Sequence, residues 1–249
     1  MISLQHTSKI FNKGKVNEVF ALLDVSLEIP KGEFVVMIGA NGSGKTTLMN
    51  LISGAETPSA GVIKINEQEV TDLPEHKRSK WIARVFQNPY NGTAPELTIL
   101  DNFRLAALRT QSKKIKVGID ATFKQTVQEK IAMLGMGLEN KMNQPIGSLS
   151  GGQRQALTLL MSVMDNTDVL LLDEPTAALD PKSAGVVLAL ADKLIKEYSL
   201  TALLVTHNLK DAQQYGNRLV QMKEGRVERD ISGDEKKQLA LPLMYEWFG

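Results

Sequence analysis

The sequence predicts an α/β protein with a parallel central sheet, an N-terminal antiparallel β-layer and an inserted α-helical subdomain. Three observations carry the prediction. From Ile2 to Phe34 the pattern alternates in short stretches, as at Val25, Leu27 and Ile29, which is the period of half-buried strands. Continuous apolar runs stand at Phe34-Val35-Val36-Met37-Ile38, Val169-Leu170-Leu171-Leu172 and Ala202-Leu203-Leu204-Val205, as in strands buried on both faces. Helical patterns separate these runs, and strands alternating with helices imply parallel crossovers. A chain of 249 residues buries enough surface for one large α/β domain, read here as 1–249, with 1–87 and 165–249 as the core and 88–164 as the helical subdomain.

Taken in order, the opening strands are divided by the polar segment Lys13 to Glu18. The run ending at Ile38 leads into a glycine-rich turn and a helix over Thr46 to Ser53, with Gly54 as its stop. Thr98 to Arg109 and Asp120 to Met133 read as amphipathic helices, with the basic stretch Lys113, Lys114, Lys116 between them. The helix between the second and third apolar runs has Asp180 as its cap and Pro181 at its first position. Leu219 to Met222 and Arg226 to Glu228 flank Glu224-Gly225 as a closing hairpin. The apolar terminal stretch Leu241 to Phe248 is expected to fold back onto the body.

Composition narrows the function. With 29 basic and 28 acidic residues the formal charge is +1, so no overall field holds a polyanion and no nucleic-acid partner is expected. Cysteine is absent and the three histidines lie far apart, which excludes a disulfide framework and argues against a zinc cluster. The N-terminus has no signal-peptide core and no apolar run is long enough to span a bilayer; a membrane role would need a partner to provide the path.

Gly39-Ala40-Asn41-Gly42-Ser43-Gly44-Lys45-Thr46 fits the phosphate-loop pattern and sits between a predicted strand and a predicted helix, the context the pattern requires. Glycines let consecutive N–H groups turn inward around phosphates at a helix N-terminus. Lys45 adds a point charge, and the Thr46 hydroxyl is a Mg²⁺ ligand. The alternative is a Gly/Ser-rich turn that binds nothing.

The second apolar run ends in Asp173-Glu174-Pro175, and two adjacent carboxylates at a buried strand end are costly without compensation. Because successive strand side chains point to opposite sides, Asp173 is expected to face Mg²⁺ while Glu174 points to the water that attacks the γ-phosphate. A solvated strand terminus is the plainer alternative.

Leu149-Ser150-Gly151-Gly152-Gln153 stands before an amphipathic helix and shortly ahead of Asp173. In this order, behind a phosphate loop, the chain resembles the ABC ATPase family, over nearly its whole length. Ser150 with the N–H groups of Gly151 and Gly152 makes a second anion site at a helix N-terminus. The resemblance implies that two copies pack head to tail, so that Ser150 to Gln153 of one close over ATP held by the other; it extends the phosphate contacts to Thr47. Gln87, after Val85-Phe86, is similar to the family's loop glutamine, which contacts Mg²⁺ or water and joins the core to the helical subdomain. Asp180, in Ala178-Leu179-Asp180, resembles the loop that reaches across the dimer. His207 is similar to the histidine that touches the γ-phosphate; a His-Asn helix cap is its alternative. Phe11 aligns with the aromatic that stacks on adenine, often tyrosine in relatives, and is otherwise an ordinary strand-end aromatic.

What the resemblance implies is an ATP-hydrolysing subunit, with ATP and Mg²⁺, in which dimer closure and opening drive transport through separate transmembrane permease subunits. Glu174, His207, Lys45 and Gln87 form the catalytic set, and Thr46, Gln87 and Asp173 the metal set. The expected site of work is the cytoplasmic face of the cell membrane. The stretch Gln87 to Thr98 resembles ATPases of binding-protein-dependent importers, which implies an extracytoplasmic substrate-binding protein and a small solute such as an amino acid. An exporter, a lipoprotein-releasing ATPase and a soluble ATPase of cofactor assembly remain open from sequence.

Overall fold

The computed structural model describes residues 1–110 and 118–247; the basic stretch at Lys113, Lys114 and Lys116, and Phe248, lie outside the described residues. The early alternation becomes strands β1 (Ile2–Phe11) and β2 (Val19–Ile29), paired antiparallel from Ile2↔Ile29 to Phe11↔Val19. The first apolar run is β3 (Phe34–Ile38), buried at all five positions, and it leads through the glycine turn into α1 (Lys45–Ser53), which stops at a left-handed Gly54. Beyond α1 the sequence pattern predicts no further strand before Val169. There β4 (Ala60–Ile65) and β5 (Gln68–Glu69) complete an antiparallel sheet of order β2-β1-β4-β5. Gly61 lets β4 cross β1 closely, because a Cβ at its φ of +92° would stand 2.4 Å from the His6 carbonyl oxygen.

The one-turn helix α2 (Glu75–Arg78) precedes β6 (Ile82–Val85). Arg78, fully buried, donates to the carbonyls of Leu51 and Ile52 at the end of α1 and to those of Thr71 and Leu73. That burial pushes its pKa down to about 10. The helical stretch then supplies α3 (Ile99–Ala106), α4 (Ala121–Ala132) and α5 (Gly151–Ser162). Thr98 and Asp120 cap the first two. Helix α3 is shorter than the expected Thr98 to Arg109, because Arg109 and Thr110 turn away to bond Asn166, Thr167 and Asp165.

Strand β7 (Val169–Asp173), helix α6 (Pro181–Glu197), strand β8 (Thr201–Val205), helix α7 (Leu209–Gln214) and the hairpin β9 (Arg218–Lys223) and β10 (Arg226–Ser232) follow. They form a second sheet of order β10-β9-β3-β8-β7-β6, parallel from β9 to β6, with β10 turned back antiparallel. Alternate side chains of its central strands serve two cores. Val35, Met37, Leu171 and Leu203 face α1 and the antiparallel layer. Val36, Ile38, Leu172 and Leu204 face α5 and α6. Burial on both faces is the physical reason these runs are continuously apolar.

The terminal stretch does fold back. After α8 (Gly233–Gln238), α9 (Leu241–Glu246) buries Met244 completely. Lys236, 4% exposed, donates to the carbonyls of Gln213, Tyr215 and Gly216 at the end of α7. Among the described residues no helix is long and apolar enough to cross a membrane.

Candidate nucleotide site

The phosphate loop lies where the sequence places it, between β3 and α1. A Cβ on Gly39 would stand 2.4 Å from the Met222 carbonyl oxygen and 2.6 Å from Ser43 Oγ, and one on Gly44, at φ +103°, 2.7 Å from the Ala21 carbonyl oxygen. The loop is therefore packed against β9 at Gly39 and against β2 at Gly44, with no room for a side chain at either. Lys45 is only 5% exposed; its Nζ donates to the carbonyls of Gly39 and Ala40, each at 2.8 Å. Burial pulls its pKa below the usual lysine value, and the Glu174 and Asp173 charges partly offset this. Ser43 is buried, Thr47 half-buried, and Asn41, Gly42 and Thr46 are exposed, so the loop presents backbone and the Thr46 hydroxyl outward.

Asp173 ends β7, and its Oδ2 accepts from Arg84 Nη2 at 2.6 Å. The next residue departs from the strand. Glu174 has a φ of +47°, a left-handed conformation that costs a non-glycine residue of order 1 kcal/mol or more and concentrates at functional sites. Strand alternation is therefore not what separates the two carboxylates; the left-handed turn is. It brings Glu174 Oε1 within 2.6 Å of His207 Nε2 at the exit of the neighbouring β8. The helix-cap reading of the His-Asn pair holds at Asn208, which caps α7 by accepting from the Lys210 and Asp211 amides and leaves His207 to meet Glu174.

Ser150 starts α5 in a reciprocal cap, accepting from the Gln153 amide while the Gln153 side chain accepts from the Ser150 amide. Gln153 thus has a structural duty at the position expected to contact nucleotide. Gly152 lies against α6, where a Cβ would stand 2.7 Å from Ser183. Asp180 caps α6 as expected, accepting from the Lys182 and Ser183 amides. Leu149 and Gly151 share a cavity of ≈ 480 Å³ with Gln87 and Leu179. Gly39, Ala40 and Asn41 line another, of ≈ 460 Å³, with His207 and Tyr245. Phe11 is half-buried at the end of β1, with the Lys9 ammonium 4.8 Å from its ring centroid.

The fold thus brings Lys45, Asp173, Glu174 and His207 into one neighbourhood, while Gln87 lines the cavity of Leu149 and Gly151. Thr46, Asp173 and Gln87 offer hydroxyl, carboxylate and amide oxygens, and among the described residues there is no cluster of three or more His, Cys, Asp or Glu side chains. Such an oxygen-only, carboxylate-poor set suits Mg²⁺, which takes few protein ligands and completes its shell with phosphate and water.

Two residues of this region escaped the sequence reading. Arg84 joins Asp173 to Asn50 of α1; its signal was a charge inside the apolar run Ile82 to Phe86. Tyr245 had no such signal, since only the fold-back of α9 brings it to the phosphate loop.

The ABC transporter family model matches residues 22–177. The tyrosine transport ATP-binding protein of Clostridioides difficile is 39% identical, covering 100% of this chain and 98% of that protein. A methionine import ATP-binding protein of Bacillus cereus is 34% identical, covering 91% of this chain and 65% of that protein. A spermidine/putrescine import ATP-binding protein of Bacteroides thetaiotaomicron is 36% identical over 92% of this chain, which spans 46% of it. Among solved structures, a dimeric ATP-binding cassette in a post-hydrolysis state bound to ADP and Pi is 30% identical, with a TM-score of 0.80, covering 93% of this chain and 98% of that one.

Proposed function

The chain belongs to the ABC transporter family as an ATP-binding subunit that hydrolyses ATP to drive transport, and from that premise we propose that it powers an importer of small solutes, most specifically an aromatic amino acid such as tyrosine. The single observation that carries the amino-acid reading is the match to the tyrosine transport protein, 98% of which this chain covers. The methionine and polyamine proteins, over the part this chain covers, support import as the broader class.

In the proposed cycle, the amides of Gly39 to Thr46 and the Lys45 ammonium hold the phosphates of ATP, with Thr47 beside them and Phe11 against the adenine. Thr46, Asp173 and Gln87 would hold Mg²⁺, which when bound would neutralise phosphate charge. Ser150, Gly151, Gly152 and Gln153 of a second copy close over the same nucleotide, and Asp180 lies at the junction. Glu174, held by its left-handed turn beside His207, orients the attacking water and takes its proton. Charge separation after hydrolysis then opens the pair.

Residues 88–164 form the subdomain that moves. Beside it, a surface groove of ≈ 570 Å³ is lined by Ala83, Phe86, Leu105 and Thr158, with Arg84 and Arg109 at its polar positions. The groove receives a short helix of the transmembrane permease, at the cytoplasmic face of the membrane. An extracytoplasmic binding protein delivers the solute on the other side.

The test is to tag the chain in its own cells, solubilise in gentle detergent and identify the stoichiometric companions, then measure uptake in reconstituted vesicles. A polytopic membrane protein and tyrosine-stimulated ATP hydrolysis support the reading. A chain that remains free of membrane proteins would remove the import claim and leave the ATPase.

A further inference from the structure

Helix α5 is capped by Ser150, and one of its side chains ties it to both strand exits that carry catalytic groups. Gln155, fully buried, donates through Nε2 to the carbonyl of Phe86, just before Gln87, and to that of Pro175, just after Glu174, each at 2.9 Å. Arg154, 2% exposed, donates through Nε to Ile146 O at 3.2 Å and through Nη2 to Gly147 O at 2.7 Å and Leu149 O at 3.0 Å. It therefore holds the loop that delivers Ser150. No carboxylate pairs with Arg154 among the described ion pairs. What lies over it instead is the Tyr90 ring, whose centroid is 3.8 Å from the guanidinium carbon.

Tyr90 belongs to the short turn that follows Gln87. Asn88 fixes this turn by accepting from the Tyr90 amide at 3.0 Å. A guanidinium face in contact with a tyrosine ring gains cation–π attraction, and the gain grows where water is excluded. Tyr90 itself keeps 51% exposure, so its ring acts as a lid on Arg154 and does not belong to either core cluster.

We propose that Tyr90 is a positioning residue for Ser150: through Arg154 it links the placement of the Gln87 turn to that of the serine offered to the second copy. This rests on the closure reading above and adds the route by which movement at Gln87 reaches the face that closes. The link is a chain of direct contacts, Tyr90 to Arg154 to the Gly147 and Leu149 carbonyls.

The test places Tyr90→Ala and Tyr90→Phe in the Glu174→Gln chain and measures ATP-driven assembly by sedimentation. Binding of a fluorescent ATP analogue is measured at protein concentrations too low for pairing. The alanine variant is expected to need about fivefold more ATP for half-assembly, with unchanged single-copy nucleotide affinity and only a small fall in melting temperature. The phenylalanine variant, which keeps the ring, restores the parent value. Assembly by Tyr90→Ala equal to the parent, or no rescue by phenylalanine, overturns the proposal. So does a parallel loss of single-copy nucleotide binding, which marks a merely structural role. Should the Glu174→Gln chain itself fail to pair with ATP, the closure reading falls and this link with it.

Discussion

Glu174 and His207 meet at 2.6 Å because a residue just past one strand adopts a left-handed turn toward the exit of the next. His207→Ala should keep ATP binding while lowering kcat by about 100-fold, the usual worth of a positioned acid–base partner; steady-state kinetics would show it as a fall in kcat with little change in KM. Asp180 gives a prediction in pH. Hydrogen bonds from the Ser183 side chain and amide, then the Lys182 amide, hold its carboxyl below the ordinary 3.8. A depressed folded-state pKa means stabilisation complete above the unfolded value and lost as pH falls below 3.8 through the folded one. Asp180→Ala should therefore melt lower than the parent at pH 7, and the gap should close in acid. Asp180→Asn, which caps without ionising, should show no such convergence. A gap that persists unchanged however far pH falls below 3.8 would contradict this.

At the scale of elements, Gly44 joins β3 to α1 with a φ that side chains disfavour and with the Ala21 carbonyl 2.7 Å from any added Cβ. Gly44→Ala should cost about 2 kcal/mol of stability by urea titration and weaken nucleotide binding, since the strain falls on the loop itself. Lys236 is the corresponding anchor for the C-terminal helices. Lys236→Met leaves three carbonyls at the end of α7 without their donor and should cost about 2–3 kcal/mol. The strands and most helix starts were legible because their causes are local: β3, β7 and β8 announce themselves by double-faced burial, and Asp120 and Asp180 by cap chemistry. Strands β4 and β6 were missed because their partners β1 and β7 are distant in sequence, and β5 because it is only two residues long. The end of α3 was misjudged because contacts to Asp165 and Thr167 stop it. In the site, Lys45, Asp173 and Glu174 were readable from spacing. The left-handed turn at Glu174, the Arg84 to Asp173 pair and the approach of Tyr245 were not, since each depends on segments brought together only by folding.

In the whole molecule, Gly39, Ala40 and Asn41 of the phosphate loop line one cavity with His207, and Leu149 and Gly151 line another, the arrangement expected if a single copy holds two halves of different sites. A head-to-tail pair would complete both, and solved relatives at 30% and 31% identity are dimers. The measurement that bears most directly on this account is sedimentation of the Glu174→Gln chain with and without Mg²⁺ and ATP, beside its hydrolysis rate. The account predicts a single copy without nucleotide, a pair with ATP, and hydrolysis reduced by at least about 100-fold. A chain that stays single at saturating ATP, or that hydrolyses at the parent rate, would contradict it.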